Sequence, residues 1–452
     1  MKMEEYLDKV TEQIRCKKAR ASVAGELENH ILDQMEAYKQ EGLNEEDALD
    51  KAIIEMGDPV EVGVSFDRIH RPQMSWGMLI LVGFISIFSI LLQLAFRSEG
   101  TEYISYMAER QIFFIIFGYI CMCLVYYLDY TSIGKYATWI GGAFLLFMIA
   151  SKPFRLGING SESFINIGTI AFSIPLAMCL FIPVFGAILF QYRGEGYKAI
   201  AKAVMWMAVA VVVLLGVSLP YAFLLGFSML GLFMVAVWKG WFAVNKKAVL
   251  GATASIITLV AIITVAATGI VLKLGILKTY QSDRIKAFIM QDNEKNYAAN
   301  MAASILGKSS LVGGSKEVID LANYNLPGSN SELVFVSIVA CFGILAGILV
   351  TGLLVFMIQK IFRISFGQKN QLGMIIGCGC GMVLFMLTFF SIAQSLGLIP
   401  ITAVVLPFFS NSGSGTIVFY VLLGLVLSIY RYQNIPMTKM QHKRKRFKII
   451  VE

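Results

Sequence analysis

The chain has 452 residues, of which 57% are hydrophobic and 15% charged, and its formal net charge is +8. This composition excludes a soluble domain of ordinary apolar content and is typical of a protein that crosses a membrane several times. The seven cysteines fall mostly in apolar runs, so they indicate small packing residues and no disulfide framework.

Residues 1–72 are predicted to form a separate helical domain, because apolar side chains recur there at helical spacing among charged ones. Asn44 is a plausible N-cap, and Gly57 followed by Pro59 ends a helix. The segment resembles the small HAAS-like domain that precedes many bacterial permease-like and regulatory membrane proteins. The resemblance rests on these residues: Glu26, His30, Gly42, Leu43, Ala48, Ala52, Gly57, Asp58 and Pro59. It implies a sensing or docking role without catalysis.

The rest of the chain up to residue 433 contains runs long enough to span a bilayer as helices. The fold predicted is therefore an all-α polytopic membrane protein with about ten transmembrane helices. We place them at 75–97, 110–128, 132–150, 170–191, 201–217, 219–238, 248–273, 333–359, 371–394 and 404–429.

The distribution of Lys and Arg predicts that both termini are cytoplasmic, because cytoplasmic loops are enriched in these residues. The predicted inner loops near 193–202, 239–247 and 360–369 are basic, whereas the predicted outer connections are much poorer in Lys and Arg. The tail 434–452 is also basic, and it either contacts anionic headgroups or only fixes the orientation. The net charge is thus explained by topology, and no nucleic-acid partner is indicated.

A polar segment, 274–331, is the one large hydrophilic insertion between predicted spans and is predicted to lie outside the cell. Loops of this length in compact proteins are usually functional or disordered. Residues 298–311 are rich in helix formers, and 280–290 alternate charged and apolar residues, so we expect ordered amphipathic pieces there. Glu332 follows the segment, where a carboxylate meets the apolar core at a cost in free energy.

Four motifs in the second half of the chain resemble, in the same order, those of the SEDS family, which acts in shape, elongation, division and sporulation. They lie at 280–288, 297–314, 326–335 and 396–414. Leu326-Pro327 and Glu332-Leu333-Val334-Phe335 are similar to the family's "LPEAHTDFIF". Gly397-Leu398-Ile399-Pro400 and the following residues are similar to "GLLPVTGLPLPFISYGGSS".

The resemblance implies a peptidoglycan glycosyltransferase that polymerises lipid II, an undecaprenyl-pyrophosphate-linked disaccharide peptide, in division, elongation or sporulation. The family's essential Asp falls on Glu332, which would act as general base. Arg284, Lys286 and Lys308 are the candidates to stabilise the pyrophosphate. Ser410 and Ser412, in the last motif, are further candidates for substrate binding. For Glu332 the simpler alternative is an acid that interacts with the dipole of the next helix.

Two of the family's polar motifs are replaced here by mainly apolar residues, at 163–176 and at 219–223. A degenerate SEDS-like scaffold, or a protein that binds or flips lipid II without chemistry, is therefore the alternative. A transporter ranks third, because almost no charged residue lies deep within a span. The expected partner is a class B penicillin-binding transpeptidase in the bacterial plasma membrane. No metal site is apparent, although a divalent cation is possible.

Overall fold

The computed structural model describes residues 2–95, 102–158, 161–167, 170–255, 286 and 296–434. These residues divide into two compact units. The first comprises Met1–Met74 together with Tyr430 and the described residues that follow it, and the second comprises Ser75–Ile429.

Four helices form the N-terminal part of the first unit. They are α1 (Met3–Gln13), α2 (Lys17–Gln40), α3 (Glu45–Glu55) and α4 (Pro59–His70). Their apolar faces enclose a core that includes the fully buried Tyr6, Val10 and Ile31. The predicted N-cap is confirmed, since the Asn44 side chain accepts a hydrogen bond from the backbone N–H of Asp47 at 2.8 Å.

Long apolar helices dominate the second unit, which confirms a polytopic, mainly helical membrane fold. Among the described residues, nine segments are long and apolar enough to cross a membrane. The helices that contain them are α5 (Trp76–Ala95), α6 (Glu102–Tyr127), α7 (Tyr130–Ala150), the pair α8 (Ile174–Met178) and α9 (Phe181–Gln191), α10 (Tyr197–Leu215), α11 (Leu219–Trp238), α15 (Ile344–Phe366), α16 (Gln371–Ser395) and α17 (Gly413–Arg431). The tenth predicted span, 248–273, is helical as far as residue 255, and the remainder lies outside the described residues.

The prediction of a single helix over 333–359 is wrong. A short helix, α14 (Val334–Phe342), is separated from α15 by Gly343, whose φ is +91°. Backbone hydrogen bonds hold this break against the preceding loop, with the N–H of Ile344 donating to Ser310 O at 3.0 Å. The hydropathy of the two helices is continuous, so only the backbone reveals that α14 belongs to the buried interior and α15 to the span.

A small sheet accompanies the helices of the second unit. Strands β1 (Leu156–Ile158), β2 (Ser161–Ile167) and β3 (Ile170–Ser173) pair antiparallel in that order, with Phe164 opposite Ser173. The predicted span at 170–191 therefore starts as a strand and becomes helical only at Ile174. The last predicted span likewise starts later than expected, at Gly413, because 404–412 form a loop.

The described part of the polar segment contains two α-helices. Helix α12 (Tyr297–Lys308) and the short α13 (Lys316–Asp320) are followed by a π-helical turn, Leu321–Asn325. Their apolar side chains share a core with α14, in which Ile305 and Ala340 are fully buried. The 280–290 part of the prediction lies outside the described residues except at Lys286.

Candidate active site

A cavity of 540 Å³ lies within the second unit, a size common for small-molecule sites. Its wall is made by the first half of α6, the sheet, the starts of α8 and α11, the turn before α14, the end of α16 and the loop before α17. The charged and polar residues of this wall are Arg110, Ser163, Ser173, Ser218, Ser331, Glu332, Thr402, Asn411, Ser412 and Ser414. The predicted general base therefore faces a space large enough for a ligand.

Glu332 is half-buried and lies at the end of a tight turn. The N–H groups of Ser331 and Leu333 both donate to Gly328 O, at 3.0 and 2.9 Å. The Ser331 hydroxyl donates a hydrogen bond to the Glu332 carboxylate. Loop 404–412 supports the same turn, with Ser410 Oγ donating to Ser331 O at 2.7 Å. These contacts fix the carboxylate at the wall.

Arg110 is the cation of this wall, and it was missed by the sequence reasoning. Its guanidinium carbon lies 5.6 Å from the centroid of the Phe114 ring, and no carboxylate of the described residues forms an ion pair with it. The neighbouring Gln111 fixes α6, because its Nε2 donates to Phe408 O at 3.3 Å. The available signal was a charged residue at the start of an apolar run, since the predicted span 110–128 begins at Arg110.

The remaining predicted site residues lie in different places. Ser412 lines the cavity, whereas the buried Ser410 does not, since its hydroxyl is used in backbone contacts to Ser331 O and Leu406 N. Lys308 also lies outside the cavity wall and forms an exposed ion pair with Glu317 at 3.2 Å.

The other two predicted cations do not contribute to the described wall. Lys286 is half-exposed and is not part of the lining, and Arg284 lies outside the described residues. Within the described ranges no cluster of three or more His, Cys, Asp or Glu could hold a metal ion. The suggestion of a divalent cation stays a prediction.

Comparison with known proteins assigns the chain to a family. The family model described as cell cycle protein, FtsW/RodA/SpoVE, matches residues 71–435. The chain is 29% identical over 160 residues to the peptidoglycan glycosyltransferase MrdB of Helicobacter pylori, covering 34% of this chain and 42% of that protein. It is 38% identical over 104 residues to an FtsW protein of Enterococcus hirae, covering 23% and 26%. The aligned part thus spans less than half the length of these relatives.

Solved structures share the fold at low sequence identity. A chain described in work on a peptidoglycan synthase complex that coordinates polymerization and crosslinking matches with a TM-score of 0.64, at 20% identity, covering 80% of this chain and 99% of that chain. The rod shape determining protein RodA of Thermus thermophilus matches with a TM-score of 0.57, at 16% identity, covering 80% and 97%. The family resemblance predicted from the four motifs is therefore confirmed, and the chain belongs to the FtsW/RodA/SpoVE family of cell cycle proteins.

Proposed function

We propose that this protein is a peptidoglycan glycosyltransferase that polymerises lipid II into glycan strands at the outer face of the membrane. The observation that carries the proposal is that Glu332 and Arg110 line the same cavity. A carboxylate and a guanidinium in one partly enclosed space match the two needs of the reaction. One group must accept a proton, and the other must stabilise an anionic leaving group.

In the proposed step, the Glu332 carboxylate takes the proton from a hydroxyl of the acceptor sugar. The hydroxyl oxygen then forms a bond to the anomeric carbon of the donor, and the bond from that carbon to the lipid pyrophosphate breaks. The electron pair leaves with the pyrophosphate, which is already a stable anion and needs no acid. Arg110 stabilises that anion, since a guanidinium can donate two parallel hydrogen bonds to phosphate oxygens.

The rest of the wall suits a lipid-linked sugar. Leu219, Pro220 and Phe223 give it an apolar side, against which a polyprenyl chain can pack. Asn411 and Ser412 lie at the wall with polar groups that can orient a sugar. Arg284, Lys286 and Lys308 stay as predicted pyrophosphate contacts, and Ser410 as a predicted substrate contact that supports the turn before Glu332.

The test is glycan formation from labelled lipid II by the purified full-length protein, with and without its transpeptidase. Glu332→Ala should abolish polymer, and Glu195→Ala is the matched control, since that carboxylate pairs with Lys202 at 2.8 Å and lies outside the cavity wall. Polymer from wild type and from Glu195→Ala, but not from Glu332→Ala, is the expected result. Equal polymer from all three would contradict the role of Glu332. Lipid II that binds without forming polymer, in every condition, would favour the scaffold or flippase alternative.

The proposed partner is a class B penicillin-binding transpeptidase. The chain with the TM-score of 0.64 comes from work on a complex that joins polymerization to crosslinking, and this supports a similar association here. The proposed location is the bacterial plasma membrane with both termini in the cytoplasm. There the α1–α4 unit would act as a docking or regulatory module.

A further inference from the structure

Gln394 connects the turn that carries Glu332 with the loop at 402–404, of which Thr402 and Ala403 also line the cavity. Its side-chain Nε2 donates to Glu332 O at 2.8 Å and to Val404 O at 2.8 Å. Its Oε1 accepts from the N–H of Thr402 at 3.0 Å and from the Thr402 hydroxyl at 2.6 Å. An amide side chain has two donor hydrogens and an acceptor oxygen with two lone pairs, so its full capacity is used.

The surroundings of Gln394 make these bonds specific. Gln394 is 1% exposed and lies near the end of α16, a membrane-spanning helix. An amide buried there would be costly if it lost its partners, so any other arrangement of the two segments is disfavoured. Ser410 also supports the turn before Glu332, but it belongs to a loop. Gln394 instead belongs to a helix of 25 residues, and a side chain on a helix is held more rigidly than one on a loop.

We propose that Gln394 is a positioning residue for the reaction. It acts through the main chain of Glu332 and fixes the carboxylate relative to the wall formed by Thr402 and Ala403. This inference rests on the proposed function, because it assigns to Gln394 the placement of the general base. A shift of about 1 Å in a reacting group can lower a rate roughly a hundredfold, so a residue that sets this distance affects turnover more than binding.

The main variant is Gln394→Met, which keeps the length of the side chain and removes all four hydrogen bonds. We expect kcat for lipid II polymerisation to fall about tenfold to a hundredfold while KM changes less than about twofold. Thr388→Val on the same helix is the matched control. The buried Thr388 hydroxyl donates only to Leu384 O within the helix, at 2.7 Å, so this variant should keep wild-type kcat.

Two further measurements separate positioning from general structural support. In a Glu332→Asp background, which shortens the base and keeps its carboxylate, Gln394→Met should cause a smaller loss of kcat than in wild type, because both changes alter the placement of the same carboxylate. In Gln394→Glu, the carboxylate form repels the two carbonyl oxygens, and only the protonated form can donate. The kcat ratio of this variant to wild type should therefore rise as the pH falls.

The proposal would be overturned if Gln394→Met kept wild-type kcat. It would also be overturned if kcat and KM changed together in Gln394→Met and the control Thr388→Val showed the same change. Losses of kcat that simply multiply in the variant that combines the Glu332 change with Gln394→Met would also overturn it. The same holds if the kcat ratio of Gln394→Glu to wild type does not change with pH. A wild-type protein that makes no polymer would instead overturn the proposed function and this inference with it. An active wild type with an unaffected Gln394→Met would remove only the positioning role.

Discussion

At the scale of single residues, Gly328 and Arg110 are the residues expected to affect the proposed role of Glu332. Gly328 has a φ of +72°, and a Cβ placed on it would lie 2.6 Å from Glu332 Oε2. The left-handed backbone conformation therefore favours glycine, and a Cβ at this position would push the Glu332 carboxylate aside. Arg110 provides the cation of the described cavity wall.

Replacing Gly328 by Ala should displace the Glu332 carboxylate and lower kcat by about a hundredfold. Gly313→Ala is the control, since Gly313 also has a φ of +72° but nothing lies within 4 Å of its Cβ position. Both variants should lose about 1–2 kcal/mol of stability, because alanine disfavours the left-handed region. Thermal unfolding and polymerisation assays together test this, and equal activity of the two variants would contradict the contact with Glu332.

Replacing Arg110 by Ala should lower kcat by about 10²–10³-fold, the usual cost of removing one donor from a developing anion. Arg110→Lys should recover only part of the activity, because lysine keeps the charge and loses the planar fork. Arg193→Ala serves as the control, since Arg193 is exposed, donates to Gln371 Oε1 at 2.7 Å and does not line the cavity. Similar activity of Arg110→Ala and Arg193→Ala would exclude Arg110 from the reaction.

At the scale of elements, the break between α14 and α15 affects the position of Glu332, which directly precedes α14. If the helix continued without a break from 334 to 366, Glu332, which lies just before it, would have a different position relative to the cavity. Gly343 makes the break possible, because a Cβ at this position would lie 2.6 Å from Leu311 O and its φ is +91°. The loop before α13 and the start of α15 are thus packed backbone against backbone.

Gly343→Ala should destabilise the protein by about 2 kcal/mol or more, since a strained conformation and a backbone clash add together. Its polymerising activity should fall as well, because α14 follows Glu332 directly. Gly352→Ala, within α15, has nothing within 4 Å of its Cβ position and should be neutral or slightly stabilising. Thermal unfolding in detergent compares the two, and an equally stable Gly343→Ala would show that the break tolerates a side chain.

At the scale of the whole molecule, the chain combines a small helical unit with a membrane unit that holds the cavity. The basic loops predict that the small unit faces the cytoplasm, and the polar segment with α12 and α13 is predicted to face outward. The reaction proposed for the cavity requires this orientation, because the glycan strand grows outside the cell.

Membrane-impermeant thiol labelling checks the orientation. Ile54 is 78% exposed in the small unit and Leu311 is 68% exposed near α12. We expect Leu311→Cys to react in intact cells and Ile54→Cys to react only after the cells are opened, with wild type as the background. The opposite pattern would place the N-terminus outside and contradict the proposed topology.

Part of this organisation was readable from the sequence because it depends on local signals. Hydropathy located most spans, since about twenty apolar residues suffice to cross a bilayer whatever their neighbours are. The Asn44 cap and the helix beginning near residue 297 also depend only on adjacent residues. Glu332 was predicted to be the base from a short motif, and that role stays a prediction.

The tertiary structure decided what depends on residues far apart in the chain. Gln394 contacts a residue 62 positions away, and Ser410 contacts one 79 positions away, so neither role leaves a local pattern. Arg110 looked like the boundary of a span until the fold placed it on the same wall as Glu332. The break at Gly343 could not be predicted from the sequence, because the apolar run continues across it. Only the packing of Leu311 against the glycine shows why the helix ends there.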